Sequence, residues 1–151
     1  MDTSQGRISI QLRPDLAPNH AERIRTLTKQ GFYDGIVFHR VIKDFMAQTG
    51  DPTGTGSGGS SLPDLAAEFS DAKFERGVIG MARTDEPNTA NSQFFIMLDA
   101  APHLNGGYTV IGEVSEGMDV VDKLKKGDPD QGGAVAGPDK IIKMQMQADA
   151  G

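Results

Sequence analysis

Phe38-His39-Arg40-Val41-Ile42-Lys43-Asp44-Phe45-Met46-Ala47-Gln48-Thr49-Gly50 is the stretch from which the fold is read. Successive side chains of a strand point to opposite faces. From Phe38 to Ile42, alternation places Arg40 with Phe38 and Ile42 and turns His39 and Val41 the other way. Lys43-Asp44 interrupts the run, and beyond it Met46 and Gln48 share a face. An arginine on an otherwise apolar face is costly unless it meets a ligand or a fixed partner. Arginine, phenylalanine, methionine and glutamine in that order point to a shallow apolar pocket with a few polar groups at its lip. The residues alone leave two readings of Arg40 open: a cation facing a ligand, or a salt-bridged strand arginine.

Outward from this stretch, short elements follow one another. Arg7 to Leu12 alternates polar and apolar residues and predicts a half-buried strand. Pro18 suits the first turn of a helix; Ala21, Ile24 and Leu27 recur on one face and Gly31 stops it, which predicts a helix over 18–29. Gly50 to Ser61 reads as a long, flexible surface loop. Residues 77–82, 93–98 and 109–114 read as further strands. Ser115 is placed to cap a second helix in which Met118, Val121 and Leu124 share a face and Gly127 ends the run. In a last strand, Ile142, Met144 and Met146 alternate with Lys143 and Gln145. Many short strands, few helices and no βαβ rhythm favour a mainly β, antiparallel barrel over a parallel sheet.

A chain of 151 residues reads as one domain, 1–151, long enough to bury a sizeable core. Its formal net charge of −6 and pI near 4.9 argue against nucleic acid and anionic membranes as partners. Zero cysteines exclude disulfides and thiolate catalysis. The start Met-Asp-Thr-Ser-Gln-Gly-Arg has neither a basic nor an apolar leader region, and no apolar run approaches membrane-helix length, so a cytoplasmic location is expected, with a mature chain whose signal peptide has been removed as the alternative.

Gly54-Thr55-Gly56-Ser57-Gly58-Gly59 matches the dinucleotide pattern G-x-G-x-x-G but lacks the strand, helix and acidic residue of a βαβ unit, so a surface loop is the better reading. His20, His39 and His103 lie far apart in sequence, without a metal-ligand spacing; no metal site is expected. Alternation makes His39 a buried, hydrogen-bonded strand histidine. No G-x-S-x-G elbow accompanies Ser92, which reads as structural.

Three runs taken in order carry a family resemblance. They are F-H-R-V-I-x-x-F-M-x-Q-x-G-D from Phe38 to Asp51, Gly80-Met81-Ala82-Arg83-Thr84 with the later Ser92-Gln93-Phe94-Phe95-Ile96, and Pro102-His103-Leu104-Asn105-Gly106-Gly107-Tyr108. Together they resemble the cyclophilin family of peptidyl-prolyl cis-trans isomerases, from about Gly6 to about Met146, most closely its compact bacterial members. The resemblance implies a closed eight-stranded antiparallel barrel capped by two α-helices. It implies an isomerase acting on X-Pro bonds of unfolded or flexible polypeptides to assist folding, without cofactor; the small acidic chain makes a monomer the default expectation. Arg40, Phe45 and Gln48 take catalytic positions. Met46, Ala82, Arg83, Gln93, Phe95, His103, Leu104 and Tyr108 take substrate-binding ones. The chain departs from the commonest family pattern at His103 for tryptophan, Tyr108 for histidine, Arg83 for asparagine and Asp44 for glycine. Weak binding of cyclosporin, a family inhibitor, is expected from the change at His103. A non-catalytic proline-binding module using the same groove is the alternative from another functional class.

Overall fold

The computed structural model describes residues 1–147. Its helix α1 is Pro18–Lys29, with proline at its first turn and Gly31 (φ 72°) just past its end. Ala21, Ile24 and Leu27 are buried along one face, as the spacing predicts. Helix α2 is Met118–Lys123, and nine short strands complete the regular structure. These are β1 (Asp2–Thr3), β2 (Gly6–Arg7), β3 (Ser9–Leu12), β4 (Arg40–Ile42), β5 (Met46–Thr49), β6 (Val78–Met81), β7 (Phe94–Met97), β8 (Val110–Glu116) and β9 (Ile141–Lys143). The fold is mainly β with two α-helices, as expected. Every strand pairing is antiparallel, within a sheet of order β3-β8-β6-β7-β5-β4 and a smaller one of order β2-β1-β9.

Irregular backbone joins the two sheets. On the free edge of β4, Val41 N donates to Gly133 O at 3.0 Å and Val135 N to His39 O at 3.1 Å. Further back, Phe38 N donates to Asp139 O and Ile141 N to Ile36 O, both at 2.8 Å, which leads the chain into β9. β9 pairs with β1, and β2 runs on into β3 after a break at Ile8. The hydrogen-bonded belt thereby leads from one edge of the large sheet toward the other.

Alternation across the large sheet sorts its side chains into two apolar clusters. Val41, Ala47, Phe94, Ile96, Ile79 and Ile111 point into the main core with Ile24, Leu27, Val121 and Leu124. Ile42, Met46, Phe95, Met97 and Val110 point the other way, into a second cluster with Phe45, Phe74, Leu104 and Tyr108. Each fully buried large side chain contributes about 1.5–3 kcal/mol from apolar transfer. The second cluster is the one that carries the candidate site.

Three local expectations are corrected. Phe38 lies in the main core with Val41, not on the face of Arg40 and Ile42. The strand begins only at Arg40, so alternation cannot be counted back through Phe38. Ser115 does not cap α2. It lies within β8, its Oγ donating to Ser9 O at 3.2 Å, and Gly117 in a left-handed conformation (φ 97°) opens the helix. In β9 the register to β1 turns Ile141 inward and leaves Ile142 56% exposed. The strand stops at Lys143, and Met144 N bonds Asp34 Oδ1, so no Ile142-Met144-Met146 face forms.

The β4–β5 turn explains one departure from the family pattern. Asp44 has φ 61°, a left-handed conformation that costs most L-residues about 1–2 kcal/mol. Aspartate is among the few that tolerate it, and glycine adopts it freely. Among the described residues, no helix is long and apolar enough to cross a membrane.

Candidate active site

Strand register assembles the site. β4 pairs Arg40 with Gln48, β5 pairs Gln48 with Phe95, and β7 pairs Phe95 with Gly80. One row across four strands therefore carries a guanidinium, an amide, an aromatic ring and a position without a side chain. Arg40 Nη1 donates to Gln48 Oε1 at 3.3 Å, and Gln48 Nε2 to Gln93 Oε1 at 2.8 Å. Gln93 Nε2 in turn donates to Gly56 O and Gly58 O, each at 2.9 Å. From the other side, Arg40 Nε donates to Gly132 O at 2.8 Å.

These contacts leave the salt-bridged reading of Arg40 without a partner among the described residues. Neutral carbonyl and amide oxygens aim the guanidinium without neutralising it, and Nη2 makes no hydrogen bond among the described residues. A half-buried cation held in this way keeps donors for a ligand.

The apolar residues gather beside this row. Phe95 is stacked on Phe74 with centroids 5.7 Å apart, and Tyr108 stands edge-on to Phe95 at 5.8 Å. Leu104 is buried at the end of a short 3-10 turn, Pro102–Leu104, that leaves His103 exposed. The His103 ring lies 5.8 Å from that of Phe45, tilted by 37°. Gly80 makes the aromatic stack possible, because a Cβ there would lie 2.6 Å from Phe74 and 2.7 Å from Phe95.

A polar cleft of about 570 Å3 adjoins this face, lined among others by Gln48, Gln93, Ala82, Arg83, Asn91 and Gly58. None of Phe45, Met46, Phe95 and Leu104 lines it; Met46, Phe95 and Leu104 are buried in the second apolar cluster, with Phe45 partly buried against it. Ala82 N donates to Gln93 O at 3.0 Å, which fixes the segment bordering the cleft. Among the expected site residues, Arg40, Gln48 and Gln93 are joined by hydrogen bonds. Phe45, Met46, Ala82, Phe95, Leu104 and Tyr108 share the second apolar cluster, which His103 and Arg83 border through Phe45 and Tyr108.

The glycine-rich loop is wound on a buried carboxylate, not loosely held as its composition predicts. Asp51 is 1% exposed. Its oxygens accept from Thr53 N at 2.8 Å, Thr53 Oγ1 at 2.7 Å, Gly56 N at 2.6 Å and Gly58 N at 3.1 Å. The amides that a dinucleotide phosphate would need already face this carboxylate. Burial alone would push the carboxyl up, but the hydrogen bonds from Thr53, Gly58 and Gly56 outweigh it and hold it at about 2. A depressed folded value stabilises the fold above the ordinary value of 3.8 and loses that contribution as pH falls through about 2. Asp51→Asn is therefore expected to cost on the order of 2 kcal/mol at neutral pH, with the deficit shrinking under acid, as urea titrations at pH 7 and pH 2.5 would measure.

Other polar residues prove structural. His39 is buried as expected, but neither ring nitrogen finds a partner among the described residues, so the expected hydrogen bond is absent. Burial lowers its pKa despite the nearby Asp51 carboxylate. His20 is fully buried with Nδ1 2.5 Å from Glu68 Oε1, and Glu68 also accepts the Asn19 and His20 amides at the start of α1. Ser92 Oγ donates to Gly50 O at 2.7 Å, in keeping with a structural serine. Sequence reading missed Phe74, stacked on Phe95, and Asn91, which holds the cleft wall through Ser60 N at 2.8 Å and Leu62 O at 2.9 Å.

Residues 1–146 match the family described as cyclophilin type peptidyl-prolyl cis-trans isomerase/CLD. The chain belongs to the cyclophilins. A probable peptidyl-prolyl cis-trans isomerase of Brucella suis is 54% identical over 155 residues, covering 95% of this cyclophilin and 79% of the relative. A peptidyl-prolyl cis-trans isomerase of Schizosaccharomyces pombe, ppi1, is 41% identical over 149 residues, covering 95% of this cyclophilin and 94% of the relative. Among solved structures, a Cryptosporidium parvum cyclophilin crystallised in the presence of the dipeptide Ala-Pro superposes with a TM-score of 0.89 at 30% identity. That superposition covers 97% of this cyclophilin and 96% of the other chain.

Proposed function

We propose that this peptidyl-prolyl cis-trans isomerase turns X-Pro bonds on the face formed by Phe45, Met46, Phe95 and Leu104, with Arg40 as the group that stabilises the twisted amide. The observation that carries this reading is the aimed but un-neutralised guanidinium of Arg40, held by Gly132 O and Gln48 Oε1 beside the aromatic stack.

Amide resonance sets a barrier of roughly 18–20 kcal/mol to rotation. Uncatalysed exchange takes tens to hundreds of seconds, so millisecond turnover requires about five powers of ten, or about 7 kcal/mol of transition-state stabilisation. When the bond twists, the prolyl nitrogen regains its lone pair and accepts a hydrogen bond. A donor aimed at that nitrogen stabilises only the twisted state, and a guanidinium supplies one without a proton transfer. Gln48 and Gln93 form a relay that orients Arg40 and borders the substrate main chain, which runs on toward Ala82 and Arg83. His103 and Tyr108 close the rim of the socket.

No bond is broken, so the reaction needs neither nucleophile nor general base. We propose that it acts without a cofactor, as a monomer of the cytoplasm, on proline-containing unfolded or flexible polypeptides. The Ala-Pro present with the Cryptosporidium parvum relative supports that choice of ligand. A protease-coupled assay on a short proline peptide is expected to show acceleration that is indifferent to chelators and varies less than about twofold between pH 6.5 and 8.5. Peptide binding without acceleration would assign the groove to a non-catalytic proline-binding module.

Weak cyclosporin affinity follows from His103. An imidazole at the exposed rim covers less apolar area than an indole and is better hydrated. At about 25 cal/mol per Å2, several tens of Å2 of lost contact cost about 1–2 kcal/mol, and a lost N–H hydrogen bond about 1 more. His103→Trp is expected to tighten cyclosporin binding by about ten- to a hundredfold in a fluorescence titration. Unchanged affinity would move the cause to Tyr108 or Asp44.

A further inference from the structure

The side chain of Arg83 does not extend into solvent. Its guanidinium carbon lies 4.4 Å from the centroid of the Tyr108 ring. Nε and Nη2 donate to Gly107 O at 3.0 and 2.6 Å, and Nη1 donates to Thr84 O at 2.9 Å and Asp85 O at 3.4 Å. One residue thereby ties the segment after β6 to the loop that enters β8. None of the ion pairs among the described residues includes Arg83. Its partners are carbonyls and a ring face, an arrangement that suits a planar fork better than an ammonium.

Tyr108 also meets the two stacked phenylalanines of the site. The ring stands edge-on to Phe95 at 5.8 Å and to Phe74 at 6.5 Å. Gly106 (φ 73°) and Gly107 precede it, and a Cβ at Gly106 would meet nothing within 4 Å. The guanidinium and the two phenylalanines therefore all bear on the Tyr108 ring.

We propose that Arg83 is a positioning residue of the isomerase site, holding Tyr108 as a wall of the proline socket against Phe95. The proposal rests on the reading that Phe95 floors that socket. Such a clamp acts equally on the bound ground state and the twisted state, so its loss raises KM and spares kcat.

Arg83→Ala is expected to raise KM for a proline peptide about three- to tenfold with kcat within about twofold of wild type. Arg83→Lys is expected to recover only part of the loss, because an ammonium cannot fork onto Gly107 O. In a double-mutant cycle, Arg83→Ala is expected to add little once Tyr108→Ala is in place. An equal KM effect in both backgrounds would overturn the proposal in favour of direct contact between Arg83 and substrate, and a fall in kcat alone would overturn it too. Tyr108 ring-proton shifts without substrate give a readout independent of the proline site, and unmoved resonances in Arg83→Ala would refute the clamp. If Phe95→Ala leaves peptide affinity intact, the underlying placement of the socket fails, whatever the Arg83 data show.

Discussion

Arg40→Ala is expected to lower kcat/KM by about ten- to a thousandfold, or about 1.4–4 kcal/mol of transition-state stabilisation. The substitution removes the donors beside the socket and leaves the socket itself in place. Arg40 is half-buried on an edge strand, and its loss opens no cavity in the main core. Stability is expected to change by no more than about 1 kcal/mol, so the kinetic loss is separable from unfolding. Arg40→Lys is expected to recover little, because an ammonium cannot span Gly132 O and Gln48 Oε1 while keeping a donor free.

Gly80→Ala is expected to damage both stability and activity. The new methyl would sit 2.6 Å from Phe74 Cε1 and 2.7 Å from Phe95 Cζ, in a cluster where both rings are buried. Over-packing of this kind costs about 1–3 kcal/mol. At about 2–4 °C per kcal/mol, the melting temperature should fall by roughly 2–12 °C. Phe95 must also move, so kcat/KM at a temperature where the variant remains folded should drop as well. Thermal melts alongside the coupled assay check both, and unchanged values in each would show that the stack yields more easily than its packing implies.

The sequence was most legible where short-range pattern and strand register agree. Helix α1 is bracketed by Pro18 and Gly31 and needs only local information. Met46 and Gln48 alternate with Ala47 in a regular strand, and their register to β7 carries Phe95 into the same surface. Alternation failed where strands are three residues long. Phe38 lies just outside β4, and β9 turned the opposite face inward from the one its apolar residues suggested. Too few paired residues remain in such strands for side-chain pattern to override the register set by neighbours.

The supports of the site were illegible for a different reason. Glu68 reaches His20 across 48 residues, and Arg23 reaches Asn91 across 68. Asp51 reads as one more polar residue before a glycine-rich loop, yet it takes the hydrogen bonds that shape the cleft wall. Phe74 sits in an irregular segment with no period, and only Gly80 on the neighbouring strand makes room for it. Family resemblance located the residues expected to meet substrate. The structure adds the carbonyls, the relay and the aromatic floor that position them.

Exchange NMR on a proline peptide at saturating protein, comparing wild type with Arg40→Ala, separates the two roles open to this arginine. It yields the on-protein cis-trans rate, and a titration of the same samples gives Kd. Stabilisation of the twisted amide requires the on-protein rate to fall at least about tenfold while Kd moves by less than about threefold. A Kd that weakens by the full kinetic loss, with the on-protein rate preserved, would contradict that role and make Arg40 a ground-state binding residue.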